Sequence, residues 1–232
     1  MLTLVVNLAR YNLKIIFANK FIYFLGSALF IFLFVTTLNL MNADAQPTEG
    51  TVYSLLLIPG ILMIFYPITF GIQNDVDNRM IEILFGISNY RYKVWLFRLL
   101  LIFIVVFAIL LILSLISALT LTTFPIVIMT LQLMFPIMFL GGLAFMVSTI
   151  VRNGSGTSVV MVIAGMASLI SRGFFENHRK WDVFLNPFTL PENINEALWA
   201  ETIIHNRIFL LAGIVITILY GLLNLQNREK FL

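Results

Sequence analysis

The sequence predicts an all-α membrane protein with six transmembrane helices, on three observations. Sixty per cent of residues are apolar and 11% are charged, against about 45–50% and about 25% in soluble domains. Residues 21–43, 50–74, 99–151, 153–171 and 208–227 carry no charge, and a helix needs roughly 20 apolar residues to cross hydrocarbon. The third run is long enough for two crossings. Finally, none of these runs alternates apolar with polar over about 10 residues, as the strands of a membrane barrel do. The longest polar stretch, from Arg172 to Arg207, is shorter than the roughly 50 residues of a small domain. Residues 1–232 are therefore expected to form a single membrane domain with no catalytic domain attached. Cysteine is absent, which removes disulfide and thiolate chemistry and leaves the redox compartment undetermined.

At the start of the chain, Thr3, Asn7, Arg10 and Lys14 fall on one stripe of a helix whose other faces carry Leu4, Val5, Leu8, Tyr11, Ile15 and Ile16. Residues 1–20 are thus expected to lie along the membrane surface as an amphipathic interfacial helix in contact with lipid. A secretory signal cut at Ala43-Asp44-Ala45 is the competing reading. Its apolar core would exceed the usual length of about 7–15 residues. The spans are expected at about 21–39, 53–72, 95–119, 125–150, 157–174 and 207–225. The third and fourth are separated at Thr120-Leu121-Thr122-Thr123-Phe124-Pro125, where β-branched residues and proline favour a turn. Pro59, Pro67 and Pro136, with Gly141 and Gly142, permit bends. The pairs Ser114/Ala118, Ala144/Ser148 and Ala164/Ser168 nominate packing faces, within the subunit or between subunits.

Orientation follows from the basic residues. One side of the serpentine carries Arg10, Lys14, Lys20, Arg79, Arg91, Lys93, Arg98, Arg152, Arg228 and Lys230, and the other only Arg172, Arg179, Lys180 and Arg207. Positive charge marks the cytoplasmic side, so both termini are expected there. The net charge of +3 is explained by this orientation, and nucleic acid is not an expected partner.

The segment 73–93 joins the second and third spans and holds a cluster of charges. Asp77 or Asn78 is suited to cap a short helix from Arg79 to about Ile87, with Glu82 in its first turn. Met80, Ile81, Ile83, Leu84, Phe85 and Ile87 are too apolar for a solvated loop. So short a helix is not stable alone in water, and its apolar face must rest on membrane, on its own chain or on a partner. This segment resembles the cytoplasmic loop of permease subunits of type 2 ABC exporters, with Asp75, Asp77, Glu82, Ile83, Leu84, Phe85 and Arg91 in the matching places. Arg79, Met80 and Ser88 stand where that family has Gly, Thr and Pro. The likeness extends to the amphipathic start with Arg10 and Lys14, to Arg152-Asn153-Gly154-Ser155, to Asn186-Pro187-Phe188 and to Arg228-Glu229-Lys230-Phe231.

The resemblance implies a multi-pass half-transporter of a bacterial plasma membrane. Two permeases, identical or homologous, would sit on two copies of a cytoplasmic ABC ATPase. Asp77, Arg79, Glu82, Ile83, Leu84, Phe85 and Arg91 would form the ATPase-coupling helix, and Arg10 and Lys14 would touch the ATPase as well. ATP and Mg would be bound by that partner. The resemblance also implies that the outer loop 175–206, with Pro187, Phe188, Ile194 and Leu198, acts as a gate dipping into the membrane.

Other chemistry finds little support in the sequence. No Gly-Lys pair exists to hold nucleotide phosphates as in G-x-x-x-x-G-K-[ST], so ATP hydrolysis is expected on another chain and no cofactor on this one. No span carries a charge near its centre, which favours an outside energy source over ion coupling. Ser155 lacks a general base, since His178 and His205 belong to the opposite membrane face, and Gly154-Ser155-Gly156 reads as a flexible turn. The two histidines have no partners at metal-ligand spacing. Phe65, Tyr66, Phe70, Met161 and Met166 would make an adaptable apolar path for a hydrophobic or amphipathic cargo. A short helix is expected after Pro191, with Ile194 and Leu198 on one face. The competing functions are a membrane scaffold without a pathway and an ion-coupled transporter.

Overall fold

The computed structural model describes residues 21–41, 47–77, 91–171, 180–192 and 194–226. Every regular element among them is helical: α1 Phe21–Met41, α2 Glu49–Thr69, α3 Gly71–Asp77, a π-helical turn Arg91–Leu96, α4 Phe97–Thr120, α5 Ile126–Val151, α6 Gly154–Ser171 and α7 Glu196–Asn224. Five helices are long and apolar enough to cross a membrane, over Ile22–Met41, Glu49–Asp75, Val94–Thr120, Ile126–Val151 and Glu196–Asn224. The helix expected as the fifth span, Gly154–Ile170, is apolar but shorter.

Helix α5 is the hub, packed against α2, α4, α6 and α7, while α1 rests on α2. Its interior face is filled by Met129, Leu133 and Ile137, which exclude solvent completely together with Val52, Leu56 and Met63 of α2, Leu110 of α4 and Leu210 of α7. Glycines let the α2 and α5 backbones come close. A Cβ at Gly60 would collide with Ile137 Cδ1, and one at Gly141 with Ile64 Cδ1 while standing 2.9 Å from Phe103 Cε1. Gly141 therefore serves close approach between helices. Ser114 and the pair Ala144/Ser148 are buried inside the bundle, and Thr130 Oγ1 donates to Ser114 Oγ at 3.1 Å.

The turn at 120–125 forms as expected, with α4 ending at Thr120 and Pro125 preceding α5. Helix α5 stops at Arg152, whose φ of 59° and ψ of 7° are left-handed, and its N–H donates to Ser148 O. That conformation is an ordinary C-terminal stop, here adopted without glycine. Gly154, Ser155 and Gly156 then form the first turn of α6 instead of a flexible turn, and Asn153 Oδ1 accepts from Gly156 N at 3.1 Å.

Two expectations are corrected by the helix ends. The second span does not give way to a polar loop at residue 73: after a break at Phe70, α3 carries the helix on to Asp77. No separate short helix follows Pro191. Asn195 Oδ1 instead accepts from Ala197 N at 2.7 Å and Leu198 N at 3.3 Å, and the helix that it caps runs unbroken to Asn224. An asparagine cap satisfies two of the free N–H groups at a helix start, whereas proline at 191 satisfies none.

Candidate functional site

The bundle has two ends, named here for Asp75 and Asn186. At the Asp75 end, Arg98 NH1 donates to Asp75 Oδ2 at 2.8 Å. Both side chains are buried, with Asp75 4% and Arg98 6% exposed. The guanidinium carbon lies 4.8 Å from the Trp95 ring centroid, and the indole itself is buried against Phe145, centroids 6.4 Å apart. Two residues before Asp75 on α3, Gln73 Oε1 accepts from Gly154 N at 2.6 Å, joining α3 to the start of α6. The Asp75 carboxylate was expected in a polar cytoplasmic segment. The structure instead sets it inside the bundle, because a cation from α4 neutralises it there.

At the Asn186 end, residues 180–192 lie over the helices and are pinned to two of them, α2 and α7. Asn186 Nδ2 donates to Gly50 O of α2 at 2.8 Å. Trp199 Nε1 of α7 donates to Pro187 O at 3.2 Å. Asn206 Nδ2, also on α7, donates to Lys180 O at 3.1 Å and Asp182 O at 2.8 Å. Arg207 NH1 donates to Asn206 Oδ1 at 2.8 Å and its Nε to Gln132 Oε1 of α5 at 2.7 Å, which fixes the asparagine. The approach of this segment to α2 is close, since a Cβ at Gly50 would collide with Thr189 Oγ1. Phe188 packs on Tyr53, centroids 5.9 Å apart, and Phe184 and Leu185 are buried.

Between the two ends lies an apolar cavity of about 400 Å³. Phe24 of α1, Ile61 and Phe65 of α2, Ala144 of α5, and Met161 and Met166 of α6 line it, and Phe184 reaches it from the 180–192 segment. Of the five residues expected along a cargo path, the structure thus brings together Phe65, Met161 and Met166. Tyr66 and Phe70 do not line the cavity. They continue an aromatic stack that begins at Phe24, with centroids 5.1 Å apart for Phe24–Tyr66 and 5.3 Å for Tyr66–Phe70.

Of the residues expected at the gate, Pro187 and Phe188 belong to the pinned segment. Ile194 is half-buried in a bend before α7, and Leu198 is 57% exposed on its first turn. Asp77 closes α3 and Arg91 opens the π-helical turn. Arg10, Lys14, Arg79, Glu82, Ile83, Leu84 and Phe85 lie outside the described residues, as do the expected interfacial and coupling helices. Phe184, Gly165, Asn206 and the Asp75–Arg98 pair were missed by sequence reasoning. For the last, one signal was present: opposite charges flank the segment that joins two consecutive apolar runs. No family model, no curated protein and no solved structure matches this chain.

Proposed function

We propose that this chain is the permease subunit of an ATP-driven type 2 ABC exporter, moving a hydrophobic or amphipathic cargo across or out of a bacterial plasma membrane. The observation that carries the reading is the apolar cavity between the shorter apolar helix α6 and helices of membrane length, lined by Phe65, Met161 and Met166. A volume of this size suits a drug-sized or lipid-like ligand, and methionine and aromatic walls adapt to varied shapes. The order of motifs along the sequence supplies the rest of the support. In this reading a second permease completes the pathway, two ATPase subunits hold ATP and Mg, and the segment around Glu82, Leu84 and Phe85 takes up their motion.

Leu84→Asp and Glu82→Arg test the proposal. Both variants are expected to insert normally yet lose ATP-dependent movement of cargo in vesicles that contain the ATPase. Unchanged transport in both variants contradicts the coupling role. One observation favours a second reading, ion-coupled transport: the buried Asp75–Arg98 pair is an ionisable group within helices of membrane length, where such groups often serve ion pathways. Transport abolished by an ionophore and indifferent to ATP would select it.

A further inference from the structure

We infer that the apolar cavity is a slot for a single hydrocarbon chain taken sideways from the bilayer, and that Gly165 sets its width. The inference deepens the permease reading and rests on it for the chain's onward movement. No charged or hydrogen-bonding side chain lines the space, so a ligand group bearing polar atoms would lose its water there without compensation. A saturated chain loses nothing. Helices α2 and α5 close the back of the slot, and Val162, Met166 and Leu169 of α6 line its open flank, 53%, 57% and 52% exposed.

The dimensions suit a chain. From Met161 to Leu169 the lining extends about 12 Å at about 1.5 Å per residue, and a volume of about 400 Å³ lies toward the lower end of the range of small-ligand pockets.

Gly165 differs from the glycines at helix contacts. A Cβ at Gly142 would stand 2.5 Å from Thr217 Oγ1, but one at Gly165 meets nothing within 4 Å. Its missing side chain leaves room instead of admitting a neighbouring helix. A larger side chain at 165 fills the slot and leaves the surrounding packing intact.

The test uses the purified full-length chain in nanodiscs with two photoreactive probes, a diazirine-bearing C16 fatty acid and a phosphatidylcholine carrying the same chain. Labelling is expected on α6 around Met161 and Met166, competed by the unlabelled chain. Labelling by either probe supports the slot, and which of them labels identifies the source. Gly165→Ala is expected to keep the labelling and Gly165→Leu to lower it about tenfold. Leu169→Trp at the flank does the same if Gly165→Leu does not fold. Undiminished labelling in folded Gly165→Leu or Leu169→Trp protein overturns the inference. So does cross-linking of Met166 to a second copy with the probe excluded. A labelled slot without any ATP-dependent transport would refute the exporter reading alone, and transport without labelling would refute the slot alone.

Discussion

Arg98 and Asp75 are separated by 23 residues in sequence and by 2.8 Å in space. Their surroundings are otherwise built from Trp95, Leu99 and Ile102. In such a setting the mutual attraction offsets the cost of taking two charges out of water, and removing one partner strands the other, at about 3–5 kcal/mol. Arg98→Met is therefore expected to destabilise the protein by about that amount, and Asp75→Leu combined with Arg98→Met to recover most of the loss. Denaturant titration in detergent micelles, followed by tryptophan fluorescence, measures both. A single-variant loss under about 1 kcal/mol, the range of exposed ion pairs, contradicts the burial. This pair was only half legible in the sequence. A carboxylate just after an apolar run reads as facing water, and Arg98 reads as one more cytoplasmic charge, since pairing across a hairpin depends on how far the helix continues past Phe70.

Helix α7 does two jobs along its length. Its middle and later turns pack on α5, with Asn224 Nδ2 donating to Thr149 O at 2.8 Å. Its first turns hold residues 180–192 through Trp199 and Asn206. Asn206→Ala removes two hydrogen bonds to the backbone of that segment and leaves the Arg207 guanidinium without one of its acceptors. Net hydrogen bonds contribute about 1 kcal/mol each, so opening of the segment is expected to become at least tenfold more frequent. Hydrogen exchange of residues 180–190 measures it, and unchanged protection contradicts the pinning role. The boundaries of the elements were unevenly legible. The turn at 120–125 carries β-branched residues and a proline that no continuous helix favours. At the other site Pro191 suits a first helical position, yet the helix begins after Asn195, because hydrogen-bond satisfaction decides the start.

At the scale of the whole molecule, composition and uncharged runs reveal the membrane-length helices found among the described residues, because apolar length is a one-dimensional property. The cavity is not of that kind. Which residues line it depends on how α2 and α6 are rotated about their axes and how the 180–192 segment folds over them. Hence Phe65, Met161 and Met166 meet there, Tyr66 and Phe70 turn to a stack with Phe24, and Phe184 and Gly165 enter without any sequence signal. An apolar slot whose lining holds none of the buried charges, Asp75, Arg98 and Arg207, is what the proposed passive pathway driven by another subunit needs. The most direct measurement of that claim is movement of a fluorescent amphiphile in proteoliposomes holding this chain and any ATPase that co-purifies with it. The account predicts movement that requires ATP and Mg, persists when ion gradients are collapsed and disappears with Leu84→Asp. Movement independent of ATP, or no ATPase bound under any condition, would contradict it.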